Sequence, residues 1–161
     1  PMRIGNTYFK VYDLVLGVLS LLVLAGASIW ILVHWGAIPD AVPTHYDFSG
    51  NIDGTGGKSN ILIMVGLAWF IWLTFTVLDF FPGAWNVHGL SEISSTAGKA
   101  KAITLTRTFL QVIKLLIAIL FSYLAICMAQ GRTASPLLLP LSIFLLMGAT
   151  VVHVLLLSRL K

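Results

Sequence analysis

The side chains able to do chemistry in this sequence gather in two places. One is the polar stretch 38–59, which carries Asp40, His45, Tyr46, Asp47, Asn51, Asp53 and Lys58 among four glycines. Asp47, Ser49, Asn51 and Asp53 put an oxygen at every second position, as in the opening of a calcium loop. The match then fails, because such a loop needs Gly at its sixth position and Glu at its twelfth, and here Ile52 and Lys58 stand there. His45, Asp47 and Asp53, with His34 nearby in sequence, are weak candidates for zinc, since two separated histidines make a poor donor set. The same residues also suit a loop that folds on itself, with Asx-turns at the acids, glycines supplying positive φ and Lys58 neutralising an acid. A rigid loop of that kind is also a binding surface. Self-folding, ligand or partner recognition and metal binding are therefore all open from the residues alone.

The second place lies inside apolar sequence. Arg107, Gln111 and Lys114 are four and three residues apart, so they share one face of a helix. Charges in a membrane are costly and normally face a bundle interior or a cavity. Asp13 and Asp79 are their expected partners. This set reads either as a charge-paired lock between helices, its cations reaching towards the surface, or as a proton or anion pathway. His153 stands alone on the last apolar run. A further polar segment, 82–103, holds Asn86, His88, Glu92, Lys99 and Lys101, and Ser91-Glu92 predicts a helix start there. Its lysines are placed to meet anionic headgroups. Serine-nucleophile, glycine-rich phosphate and Cys/His motifs are absent. Catalysis is thus left open without being favoured, and no cofactor is expected.

The elements that must position these residues follow from hydropathy. Of the 161 residues 58% are hydrophobic and 10% charged, against about a quarter charged in soluble domains. The mean hydropathy is +0.94, so the solvent is lipid. Four runs reach the roughly 20 residues a spanning helix needs, at about 14–35, 61–81, 104–129 and 137–157. Between them lie an outer loop, 36–59, and an inner loop, 82–103. Ser59-Asn60 caps the second run and Phe81-Pro82-Gly83 stops it. The runs lack the alternation of a barrel strand. The expected fold is an all-α integral membrane protein, one four-helix domain over 1–161. Trp30, Trp35, Trp69 and Trp72 suit interfacial or upper-bundle anchoring.

Charge then sets the expected orientation. Arg3, Lys10, Lys99, Lys101, Arg159 and Lys161 would share one side, with Lys58 and Arg132 on the other, so both termini are expected in the cytoplasm. A net charge of +4 scattered in this way does not point to nucleic acid. The one cysteine, Cys127, allows no internal disulfide. The first apolar run is too long for a signal peptide and lacks a small-residue cleavage site. Small residues on each run leave self-association open.

The loop also carries a family resemblance. Ile38-Pro39-Asp40, Val42-Pro43, His45-Tyr46-Asp47, Gly50, Asp53 and Lys58 resemble a pattern in the uncharacterised N-terminal domain of SdpI-type bacterial membrane proteins, which act in immunity and signalling against a secreted toxin peptide. Phe81-Pro82, Asn86, Arg107 and Lys114 are similar to further elements of that family. The resemblance covers about residues 10–120 and implies a multi-pass protein of the bacterial cytoplasmic membrane. It also implies importance for His45, Asp47, Asp53, Lys58 and Asn86. Longer members carry more helices, so a short stand-alone member is expected, with an outer loop that recognises an extracytoplasmic peptide or a membrane protein. The rival readings are a transporter or channel component built on the charge relay and a membrane enzyme with a loop-borne metal.

Overall fold

A computed structural model describes residues 2–4, 7–85 and 90–160. The chain is mostly helical, and four of its helices are long and apolar enough to cross a membrane. These are α1 (Val11–Val33), α2 (Ser59–Leu78), α3 (Thr96–Gln130) and α4 (Leu138–Ser158). Two antiparallel hairpins complete the architecture: β1 (Met2–Ile4) with β2 (Thr7–Phe9), and β3 (Ala41–Tyr46) with β4 (Ile52–Gly57). An all-helical reading therefore misses the β-structure. In β3 and β4, Val42, Thr44, Tyr46 and Thr55 favour extended backbone, and Pro43 is tolerated because a two-stranded ribbon has an unpaired side. The ribbon pairs Ala41 with Gly57 and Tyr46 with Ile52, with register shifts around His45.

Local capping explains the helix limits. The Lys10 backbone N–H donates to the Asp13 carboxylate at 3.2 Å, closing the first turn of α1. Ser95 Oγ accepts from the Gly98 N–H at 3.0 Å and starts α3. That start lies ahead of both the hydropathic limit near Thr104 and the length a bilayer requires, because a polar helical extension adds nothing to an apolar count. It also lies beyond Ser91-Glu92, which sits in a short 3-10 turn, Leu90–Glu92. At its far end Gly131 takes φ +64°, and Arg132 N–H donates to the Cys127 carbonyl at 3.1 Å. This left-handed termination suits glycine.

α3 is the hub of the bundle. Each of the other helices packs on it, while the backbones of α1 and α2 come close at few points. Its buried positions, Arg107, Gln111, Lys114, Ala118, Ser122 and Ala125, recur every three or four residues and form one stripe. The alanines let neighbouring backbones approach closely. α2 and α4 are apolar all round, as lipid-immersed helices should be, and α4 buries no residue fully. At the hairpin end Ile31, Ile38, Val42, Ile61, Ala125 and Met128 form a core, with Trp30, Trp35 and Tyr46 packed on it. Leu24, Ala68 and Ala118 form a second cluster further along.

The β3–β4 ribbon is fastened to the turn between α3 and α4. Ala134 N–H donates to the Gly50 carbonyl at 2.9 Å, and Tyr46 Oη donates to the Arg132 carbonyl at 3.3 Å. Gly50 has φ +83°, and a Cβ there would meet the Ala134 carbonyl oxygen at 2.3 Å. Gly50→Ala should thus cost about 1–3 kcal/mol or more, through both strain and contact. Gly36→Ala, whose Cβ meets nothing within 4 Å, should leave thermal unfolding in detergent unchanged. Equal melting of the two variants would show that the ribbon is not fastened in this way.

Candidate functional site

The hairpin end gathers most of the residues singled out in the loop. In the turn, Asp47 organises the chain: its carboxylate accepts from the Asn51 backbone N–H at 2.8 Å and from Asn51 Nδ2 at 3.0 Å. Its own N–H donates to the Asn51 carbonyl at 2.9 Å. The Asn51 donors hold the Asp47 carboxyl below its ordinary value of 3.8. Lys58 pairs with Asp40 at 3.0 Å and lies over the Trp35 ring at 5.6 Å, fixing the base of the ribbon to the end of α1. Tyr46 points inward, and burial pushes its phenol up to about 12, so it stays a neutral donor to Arg132.

His45 and Asp53 face outward together. His45 Nδ1 and Asp53 Oδ1 are 2.5 Å apart, with side chains 72% and 46% exposed. A pair this exposed contributes roughly 0–1 kcal/mol to stability, so folding alone does not require it. Beside it lies a pocket of about 200 Å³ between Thr44, His45 and Asp47 of the ribbon, Met64 of α2, Leu124 of α3 and Ser135 of the turn. Asp53 meets His45, but the Asp47 carboxylate is engaged by Asn51, so the three do not form a ligand set. Among the described residues, no three His, Cys, Asp or Glu side chains share a point that a metal could occupy. Asn86 and His88 lie outside the described residues.

The intramembrane set is brought together at the opposite end of the bundle. Asp13, Asp79, Arg107, Gln111 and Lys114 are each at most 4% exposed. Asp79, at the end of α2, is the centre: Lys114 Nζ donates to its Oδ2 at 3.2 Å and Gln111 Nε2 to the same oxygen at 2.6 Å. Arg107 Nη2 donates to the Asp79 backbone carbonyl at 3.2 Å and stacks over Trp85 at 5.3 Å. Asp13 accepts from Thr108 Oγ1 at 2.7 Å, tying α1 to α3. Lys114 also donates to Thr76 Oγ1 at 3.2 Å and lies 5.3 Å from the Trp72 ring centre.

Several participants escaped the sequence reading. Of the two roles open to Trp69 and Trp72 the structure shows the one within the bundle, where their serine partners were not foreseen: the indole N–H groups donate to Ser28 Oγ at 3.0 Å and Ser20 Oγ at 2.8 Å across the α1–α2 gap. A buried indole needs such an acceptor. Thr108 stands three residues before Gln111 on the same helical stripe, a spacing that was available as a signal. His153 stacks on Phe109 at 4.4 Å and lies 3.5 Å from Thr106, apart from the charged set.

Residues 21–69 match a family model described as Domain of unknown function (DUF1648). The match runs from the middle of α1 through the β3–β4 ribbon into α2, and so includes the whole hairpin. No curated protein and no solved structure matches the chain. Its four helices long and apolar enough to span a bilayer make this a multi-pass membrane protein, and residues 21–69 of it resemble an uncharacterised domain.

Two measurements test the geometry. Asp79→Asn or Lys114→Met alone leaves a buried charge without its partner and should cost about 3–5 kcal/mol, while the double variant should recover a large part of the loss. Unfolding of the three variants in detergent reads this directly, and simple additivity would refute the pairing. Because the Asp47 carboxyl is depressed in the fold, its contribution is present above the ordinary carboxylate value and is lost as pH falls through the lower folded value. Exchange of the Asn51 amide should therefore accelerate, relative to its intrinsic rate, only below about pH 4. Loss of that protection already above the ordinary carboxylate value would contradict the assignment.

Proposed function

We propose that this is a small membrane protein of the immunity or sensing type, whose β3–β4 ribbon recognises an extracytoplasmic peptide. The observation that carries the reading is the fastened ribbon itself. A membrane protein that pins a hairpin to a helical turn, and still presents an exposed His45–Asp53 pair beside a pocket, holds a rigid polar surface that stability does not demand. Rigid presentation lowers the ordering cost of binding. An imidazole beside a carboxylate offers both a donor and an acceptor to peptide backbone or a basic side chain. The resemblance of the loop to SdpI-type proteins favours the same assignment, and the stretch that matches an uncharacterised domain, residues 21–69, contains this hairpin.

Orientation belongs to the proposal. The positive-inside argument puts the hairpin outside the cytoplasmic membrane of a bacterium, where a secreted peptide would arrive. A transport relay has less support. The charged set and the hairpin are separated by the apolar cluster of Leu24, Ala68 and Ala118 and by the core around Ile31, Ile61 and Ala125.

Cells that express the protein should survive membrane-active secreted peptides better than cells that lack it. The His45→Ala/Asp53→Ala variant, at equal abundance in the membrane, should lose that protection. Unchanged sensitivity on expression, or full protection by the double variant, would exclude recognition through this surface.

A further inference from the structure

The β3–β4 ribbon has two outer edges, and they are not alike. In the straight part of the ribbon the Lys58 N–H donates to the Asp40 carbonyl at 2.9 Å, so these residues form a hydrogen-bonded pair. Such pairs alternate along an antiparallel ladder with pairs whose N–H and C=O groups point away from the partner strand. Val42–Gly56 is therefore bonded across the ribbon, whereas Ala41–Gly57 and Pro43–Thr55 turn their backbone groups outward. A proline fits at such a position, having no N–H to contribute. The outer edge of β3 is thus blunted by Pro43, and β3 itself lies against α3. The outer edge of β4 has neither protection. Among the described residues no third strand pairs with it, and Thr55 and Gly57, whose N–H and C=O groups point along that edge, are exposed.

An open edge is a template for another strand, and native proteins usually guard it with lysine, proline or a covering element. β4 has none of these, and Gly54, Gly56 and Gly57 leave its edge without shielding side chains. Charge selects the occupant. The stretch 38–59 holds Asp40, Asp47 and Asp53 against Lys58 alone. A second copy of the hairpin would bring like charges together, while a cationic strand would be attracted. Asp53, its side chain 46% exposed, stands two residues from Thr55 and so on the same face of β4. A basic side chain on a neighbouring strand would reach it there. We infer that β4 binds its peptide by strand addition: an extended cationic segment pairs with the outward N–H and C=O groups of Thr55 and Gly57 and sets a basic side chain beside Asp53. This rests on the recognition reading and supplies its binding mode, in which main-chain bonds add to side-chain contact.

The protein in phosphatidylcholine nanodiscs, which carry no net charge, is titrated with a hexapeptide of alternating lysine and valine. Amide exchange of Thr55 and Gly57 should slow as this peptide is added. A hexapeptide of alternating lysine and proline, with the same charge, should leave the exchange unchanged. Thr55→Pro removes the outward N–H without touching a cross-ribbon bond and should weaken binding about tenfold, the worth of one good hydrogen bond. Thr55→Ala keeps the backbone and should bind as the parent does. Unslowed exchange at both amides of the unaltered protein would overturn the inference, whether or not Thr55→Pro folds. So would equal affinity in Thr55→Pro. Protection of those amides without peptide, rising with protein concentration, would overturn it too, because a second copy would then occupy the edge. The cell assay separates strand addition from recognition itself. Protection that survives Thr55→Pro but not His45→Ala/Asp53→Ala retains recognition and excludes strand addition. Proline-sensitive binding of the lysine–valine peptide, with no protection of cells, retains strand addition and excludes the immunity reading.

Discussion

The bundle depends on placing Lys114 and Arg107 of α3 against the carboxylate and carbonyl of Asp79. An ammonium left alone in hydrocarbon would cost several kcal/mol. That cost makes the position of α2 on α3 far more specific than apolar contact could, since Leu against lipid and Leu against Leu are nearly equivalent in a bilayer. α2 has almost no difference between its faces, so hydropathy alone gives it no preferred rotation. The polar contacts supply one. Lys114 fixes Asp79 and Thr76, Trp72 reaches Ser20, and Trp69 reaches Ser28. Four directional contacts thus orient a helix whose apolar surface is uniform.

The same economy of polar contacts governs the other end. The hairpin has little core of its own, as expected for two strands. It is held by one backbone bond and the Tyr46 hydroxyl to the α3–α4 turn, by Lys58 against Asp40 and Trp35, and by Val42 in the core beneath. Asp47 and Asn51 spend their polar groups on closing the turn, which leaves His45 and Asp53 as the outward pair. Folding and recognition are therefore divided between neighbouring residues of one motif.

Four membrane-crossing helices were legible in the sequence because apolar run length is a direct physical requirement of the bilayer. The grouping of Arg107, Gln111 and Lys114 followed from helical spacing. Other features depend on tertiary contacts that spacing does not encode. The ribbon was not legible because glycines and prolines dilute its strand signal, and the partner that fixes Gly50 lies at Ala134, far along the chain. The place of the tryptophans stayed open for a related reason: an indole suits a membrane interface and a serine on a facing helix equally well, and only the packing decides. The early start of α3 depends on Ser95, a cap of one residue beside an apolar pattern that says nothing about it.

The arrangement of three helices around α3 has a consequence for biosynthesis. α1 and α2 emerge before α3 and carry Asp13 and Asp79, and they are joined to each other by little more than the two tryptophan–serine bonds. Their acids meet Thr108, Gln111 and Lys114 only when the third span has been made. Until then the two early helices have a reason to linger near the translocation machinery or the membrane surface, where water can still solvate a carboxylate. Arrival of α3 is then the step that commits the chain to the bilayer, and α4, which packs on α3, joins an assembly whose polar core is already closed.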